Sequence, residues 1–226
     1  MRPPIEFLFP PEIGLELLYS FVIVICSLMV YTATKEMYEL SSYKGIKYFR
    51  QAFLFFAIAY FLRYFVQFCL LLFGPGEFFD VSPRLFGSIS TFLFLYFSSM
   101  AILYLMYSVI WKKSNHSRIK IYFFHFISLI ISLTGLFFGG KEVFFILNLI
   151  LLIVVLFSLF VAYKDSKNKK GKSLYIIYLL LSIFWSLNII DILIPRFSQV
   201  YKLIIYLVSI LLFMIILYKV LRKTGD

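Results

Sequence analysis

Cysteine, mid-chain proline and acidic residues are all scarce in this sequence, and each shortage excludes something. The only two cysteines in 226 residues, Cys26 and Cys69, both lie inside apolar runs, far from any clustered partner. A metal or redox site needs such partners, so packing is the expected role for both. Cys26 follows Val24-Ile25 rather than small residues, which argues against a lipid-anchored start. Four of the seven prolines fall at the start (Pro3, Pro4, Pro10, Pro11), and Pro75, Pro83 and Pro195 lie between apolar runs. Uninterrupted helices are therefore expected, with an extended lead-in over residues 1–12. The lead-in is not positive overall and no small-residue cleavage site follows it, so a cleavable signal is not expected.

Acids number 11 against 22 Lys and Arg, a net charge of +11. The sequence has no HExxH, no paired aspartates near a cytoplasmic helix end and no Gly-rich phosphate loop. No enzyme, cofactor or metal centre is expected from such a set. The positive charge does not point to nucleic acid either, because it lies in short clusters between apolar runs.

What remains is hydrophobic: 62% of residues are apolar and only 15% are charged. The apolar residues come in runs of bilayer length, which predicts an all-α polytopic membrane protein rather than a globular core. One membrane domain, 1–226, is expected, a bundle of seven spans at about 13–37, 48–73, 85–111, 121–138, 143–163, 174–194 and 200–221. Sixteen Lys and Arg fall in the loops after spans 1, 3 and 5 and in the C-terminal tail, against five on the opposite side. By the positive-inside rule the N-terminus is outside, the C-terminus is cytoplasmic and the location is the cell membrane. The basic loops are expected to lie against anionic headgroups.

Span 3 ends Tyr107-Ser-Val-Ile-Trp-Lys112 and span 7 ends Tyr218-Lys-Val-Leu-Arg-Lys223. Either spans 1–3 and 5–7 are parallel repeats joined by span 4, or both endings are interfacial belts. The span count and direction resemble those of microbial rhodopsins and G-protein-coupled receptors. A retinal lysine would sit mid-membrane in the last span, however, whereas Lys202 opens it. The 3+1+3 plan resembles sugar-efflux transporters, whose Pro-Gln hinge pair is missing here.

The run Tyr48–Phe73 carries Arg63 near its centre, roughly 15 Å from the Phe73 end at helical rise. The whole bundle is expected to pack round this span. An arginine at that depth costs about 2.5–3.5 kcal/mol on insertion scales, so a carboxylate or a wet cavity beside it is expected. Helical spacing puts Tyr60, Arg63 and Gln67 on one face. Trp185, Asn188 and Asp191 recur on span 6, while Glu16 and Lys202 lie in the outer third of spans 1 and 7. Arg63 is therefore expected to pair with Asp191 or Glu16, with Asn188, Gln67 and Tyr60 supplying hydrogen bonds. The alternatives are a ligand or ion pocket, a structural ion pair, or an Arg63 that faces lipid and snorkels to the interface. His125 on span 4 is expected to pack, and Ser128, Ser132 and Gly135 to let helices approach closely.

Three functions fit this pattern. The first is a receptor-like sensor binding a small ligand or ion near Arg63, with a cytoplasmic protein on its basic loops. The others are a small-solute or ion transporter and an accessory subunit of a membrane complex; a homo-oligomer is compatible with all three.

Overall fold

A computed structural model of the chain describes residues 11–77, 83–111, 119–166, 172–193 and 199–225. They form seven α-helices: α1 (Pro11–Ser41), α2 (Lys44–Glu77), α3 (Pro83–Ile110), α4 (Ile119–Phe137), α5 (Lys141–Ser166), α6 (Lys172–Leu193) and α7 (Gln199–Gly225). Long apolar runs become helices because a helix satisfies its backbone hydrogen bonds within the segment, which lipid demands. Among the described residues six of the seven, α1 and α3 to α7, are long and apolar enough to cross a membrane. The molecule is a membrane-type helical bundle.

The largest departures from the expected boundaries, about four residues each, are at the end of α1, both ends of α2 and the end of α7. α2 starts at Lys44 and continues through Gly74-Pro75-Gly76 to Glu77, where a stop at Phe73 was expected. Pro75 thus sits inside a helix; in the last turns its missing N–H removes one bond, to the Leu71 carbonyl. α1 opens on Pro11, a first-turn position where proline forfeits nothing. The α1–α2 turn is tight. Ser42 adopts a left-handed φ of 50°, and its N–H donates to the Tyr38 carbonyl at 2.8 Å, capping α1.

Neighbouring helices form a closed ring in the order α1, α2, α3, α5, α6, α7, with α7 returning to α1. α4 lies outside the ring, against α3 and more lightly α5. Among the described residues α2 meets α6 and α7 through the side chains of Tyr60, Phe56 and Phe53, in addition to its backbone neighbours. The backbone of α2 approaches only α1 and α3, whereas α3 packs on α2, α4 and α5. The apolar window of α3 is 72% buried and that of α4 only 22%, so α3 is the enclosed helix and α4 the peripheral one.

Exchanging α1 with α5, α2 with α6 and α3 with α7 maps this ring of neighbours onto itself. Burial follows the same exchange. Tyr19, Ser20, Ile23, Ser27, Val30 and Thr34 are buried on α1. The residues 128 positions on, Leu147, Asn148, Leu151, Val155, Ser158 and Ala162, form the buried face of α5. The same step carries buried Phe49, Phe53, Phe56 and Ala57 of α2 to buried Ile177, Leu181, Phe184 and Trp185 of α6. Tyr60 and Asn188, 128 positions apart, hydrogen-bond to each other. Equivalent positions that touch must straddle the axis of exchange, so the axis passes between them. The packing supports the repeat over the interfacial-belt explanation.

Aromatic rings fill the centre. Phe213 meets Phe184 at 4.6 Å and Phe53 at 6.4 Å between centroids, and Phe56 meets Trp185 at 6.2 Å. Between α3 and α4, Leu95 occupies the space that a side chain at Gly135 would need. Ser128 and Ser132 are fully buried on the same stripe, so the small residues do bring α4 close.

Candidate functional site

Arg63 and Tyr64 stand one turn beyond Tyr60 on α2, but their surroundings differ. Tyr60 is fully buried, and its hydroxyl donates to Asn188 Oδ1 at 2.9 Å. Asn188 in turn donates through Nδ2 to the Phe184 carbonyl at 2.9 Å. Trp185 is also enclosed and donates from Nε1 to the Asn148 carbonyl at 3.2 Å. These three sequence-predicted residues are therefore parts of the axial core, held by each other and by backbone.

Arg63 faces the other way, toward α3. Its Cζ lies 4.8 Å from the centroid of Phe94 and 5.4 Å from that of Tyr64, within cation–π range. Among the described residues no ion pair within contact distance joins Arg63 to Glu16 or Asp191. Both acids feel its charge from farther away. The expected contact pairing is thus corrected. Glu16 is engaged on the far side of the tyrosines, where Tyr206 donates to its Oε1 at 3.1 Å. Asp191 lies within electrostatic range of Glu16 and Lys202 as well as Arg63. Gln67 has its side chain outside the described residues.

A cavity explains how Arg63 is tolerated. It measures about 490 Å³ and opens at the end of the bundle where α3 and α5 begin and α4 and α6 finish. Arg63 lines it from α2, Ser88, Ser90, Thr91 and Phe94 from α3, and Lys141 and Phe144 from α5. Gly135 and the Gly139-Gly140 turn complete the wall from the α4 side. Of the two expected supports for a buried guanidinium, a carboxylate or a wet cavity, the structure supplies the cavity. A space of this size, with polar groups on its wall, has room for water, and it falls in the range of small-molecule sites.

No family model matches the chain, and no solved structure matches it. It is 35% identical over 227 residues to a protein of Archaeoglobus fulgidus described as an "Uncharacterized protein". The alignment covers 98% of this chain and 95% of that one. The chain belongs to that protein's family. Because the match runs through nearly the whole of both chains, the family unit is the entire bundle and not one hairpin of it.

Within this bundle, sequence reasoning missed the α3 and α5 walls of the cavity. A signal was present: Ser88 and Thr91 are spaced three apart and so share a face of α3. Lys141 was counted only as an outer-side charge. The secondary candidates settle more simply. His125 Nδ1 is 2.8 Å from the Tyr96 hydroxyl, an α3–α4 packing contact, as expected. Cys26 is buried with Sγ 3.8 Å from Met214 Sδ, again a packing position. The side chain of Cys69 lies outside the described residues.

At the opposite end a smaller cavity of about 160 Å³ is lined by Thr34, Gly45, Phe49, Ile177 and Val220 among others. Along α2 the residues from Phe53 to Tyr60 separate it from Arg63, and they are the aromatic core itself.

Proposed function

We propose that the protein is a seven-span, receptor-like bundle of the cell membrane that binds a small ligand in the cavity at Arg63. The observation carrying this reading is the cavity: an open space of about 490 Å³, walled by both polar and apolar groups, that reaches a guanidinium with no contact counter-ion among the described residues. A bundle serving only as an accessory subunit would gain nothing by keeping such a space. The charge distribution supports an N-terminus outside, which puts the cavity on the outer face and the basic loops in the cytoplasm. There the loops would meet anionic headgroups and a soluble partner protein, the route by which a bundle with short loops would pass on a signal. The chemistry is binding, not catalysis.

The transporter is the second reading, and a specific observation favours it. The three-helix units exchange about the Tyr60–Asn188 contact, and cavities at the two ends are separated by one aromatic layer. Rocking of one unit against the other would connect the cavities in turn.

The test is ligand screening of the purified full chain by thermal shift, followed by uptake in proteoliposomes for every compound that binds. Saturable binding lost in Arg63→Ala, without uptake, supports the receptor. Arg63-dependent uptake supports the transporter. A cysteine at Ser88 that never reacts with water-soluble maleimide would sink both, because the cavity would then be closed.

A further inference from the structure

The chemistry of the cavity wall narrows the ligand class. Among the described residues the charged side chains on the wall are both cations, Arg63 at its depth and Lys141 at its mouth, and no described acid lines it. Glu142, the residue after Lys141, is exposed and is not part of the wall. Three hydroxyls, Ser88, Ser90 and Thr91, are placed on the α3 side. The cavity also meets the start of α5. Gly140 accepts the first helical bond there, from the Phe144 N–H at 3.0 Å, and has no side chain to cap the N–H groups that follow. The first-turn N–H groups, which an α-helix leaves without intrahelical acceptors, and the positive end of the helix dipole add to the two side-chain charges.

Arg63 itself has donors to offer. Its Cζ lies over the rings of Phe94 and Tyr64, and among the described residues it makes no ion pair. Glu16 and Asp191 temper its charge from a distance but stand outside the wall. Arginine presents a planar fork that matches the oxygens of a carboxylate or phosphate. Phe94, Phe144, Leu136 and Ile192 provide the apolar part of the same wall. The volume exceeds what one inorganic anion occupies, so a body attached to the anionic group is accommodated.

We propose that the Arg63 cavity binds an oxyanion, the carboxylate or phosphate of a small organic molecule, with Arg63 and Lys141 as its charge partners and its apolar body against Phe94 and Phe144. This rests on the ligand-binding reading above and adds the sign and chemistry of the ligand. The same oxyanion could be the headgroup of an anionic lipid entering from the membrane, and the experiment separates the two sources.

The experiment uses the full chain in a neutral detergent and, separately, in nanodiscs. The probes are benzoate, its uncharged analogue benzamide, inorganic phosphate and phosphatidylglycerol, with binding read by thermal shift and titration. The expected result is binding of benzoate or phosphate that weakens about tenfold or more in Arg63→Gln and less in Lys141→Gln, and that falls with added salt. Both variants should keep the wild-type helix content, and Arg63→Lys should recover part of the affinity. Protection by phosphatidylglycerol alone, lost in Arg63→Gln, upholds the oxyanion chemistry and assigns it to a lipid. Equal binding of benzamide and benzoate overturns the proposal but leaves the small-ligand cavity intact. No Arg63-dependent binding of any anionic probe, with Ser88→Cys still accessible to maleimide, overturns it too; an inaccessible Ser88→Cys would instead remove the cavity and the broader reading with it.

Discussion

The two sides of the Tyr60–Asn188 contact are built on equivalent helices and carry opposite chemistry. On the α2, α3 and α5 side, Arg63 faces an open cavity with Lys141 and three hydroxyls. On the α6, α7 and α1 side, Asp191 stands 128 positions after Arg63, the same step that separates Tyr60 from Asn188. Its electrostatic surroundings hold Arg63, Glu16 and Lys202, and Glu16 is tied down by Tyr206. Tyr206 stacks on Tyr19 at 4.7 Å, Tyr19 meets Tyr60 edge-on at 6.0 Å, and Tyr60 lies 6.4 Å from Tyr64. A line of four tyrosines thus joins the acidic side to the basic one. The comparison teaches that one scaffold position can bear a cation that stays available or an acid among bonded neighbours. What decides between them is the space beside it.

That comparison can be broken at its centre first. Trp185 is shared by both halves, packing on Phe56 and bonding α5, so Trp185→Ala should cost about 3–5 kcal/mol of stability. Thermal unfolding in detergent should show one transition moved downward, with both sides affected together. A variant as stable as wild type would mean that the halves do not share a core.

The next effect should be confined to the cavity side. Gly135→Leu drives a side chain into the place of Leu95, and overpacking of this kind costs about 1–3 kcal/mol. α4 should move off α3, seen as faster backbone hydrogen exchange in α4 and changed maleimide reactivity at Ser88→Cys. The Tyr206–Glu16 side should be unmoved; equal disturbance there would contradict the peripheral place of α4.

The smallest effects sharpen the comparison. Tyr206→Phe removes the hydroxyl that holds Glu16 and should cost about 0.5–1.5 kcal/mol, as should Tyr60→Phe at Asn188. Hydrogen bonds in membrane bundles average about 0.6 kcal/mol, so values near the lower bound are expected. Combined with Arg63→Gln, Tyr60→Phe should be non-additive because the two residues share Tyr64 and Phe94 as neighbours. Tyr206→Phe should add to Arg63→Gln within error. Strong coupling of Tyr206 to Arg63 would mean that the two sides form one site after all.

Much of this was open to reading from the residues in order. Seven helices, their sequence positions to within a few residues and the packing role of His125 follow from apolar runs and helical spacing. The α2 boundary was misread because Gly74-Pro75-Gly76 has the composition of a stop, and a helix near its end tolerates one lost bond. The Arg63–acid pairing was misread for a different reason. Periodicity tells which residues share a face, such as Tyr60 with Arg63, but not which neighbouring helix that face meets. Arg63 and Asp191 have opposite charges and similar depth, so pairing them was the simplest guess.

By itself the order of residues determined that this chain is a membrane bundle, where its helices run and which faces avoid lipid. Those properties depend on local hydrogen bonding and on transfer of each side chain out of water, both nearly independent of partners. Only the assembled ring decided that Arg63 lines a cavity beside α3 while Glu16 and Asp191 act on it from beyond contact distance. Which helix stands beside which is a property of packing between segments far apart in the chain, and no single segment encodes it.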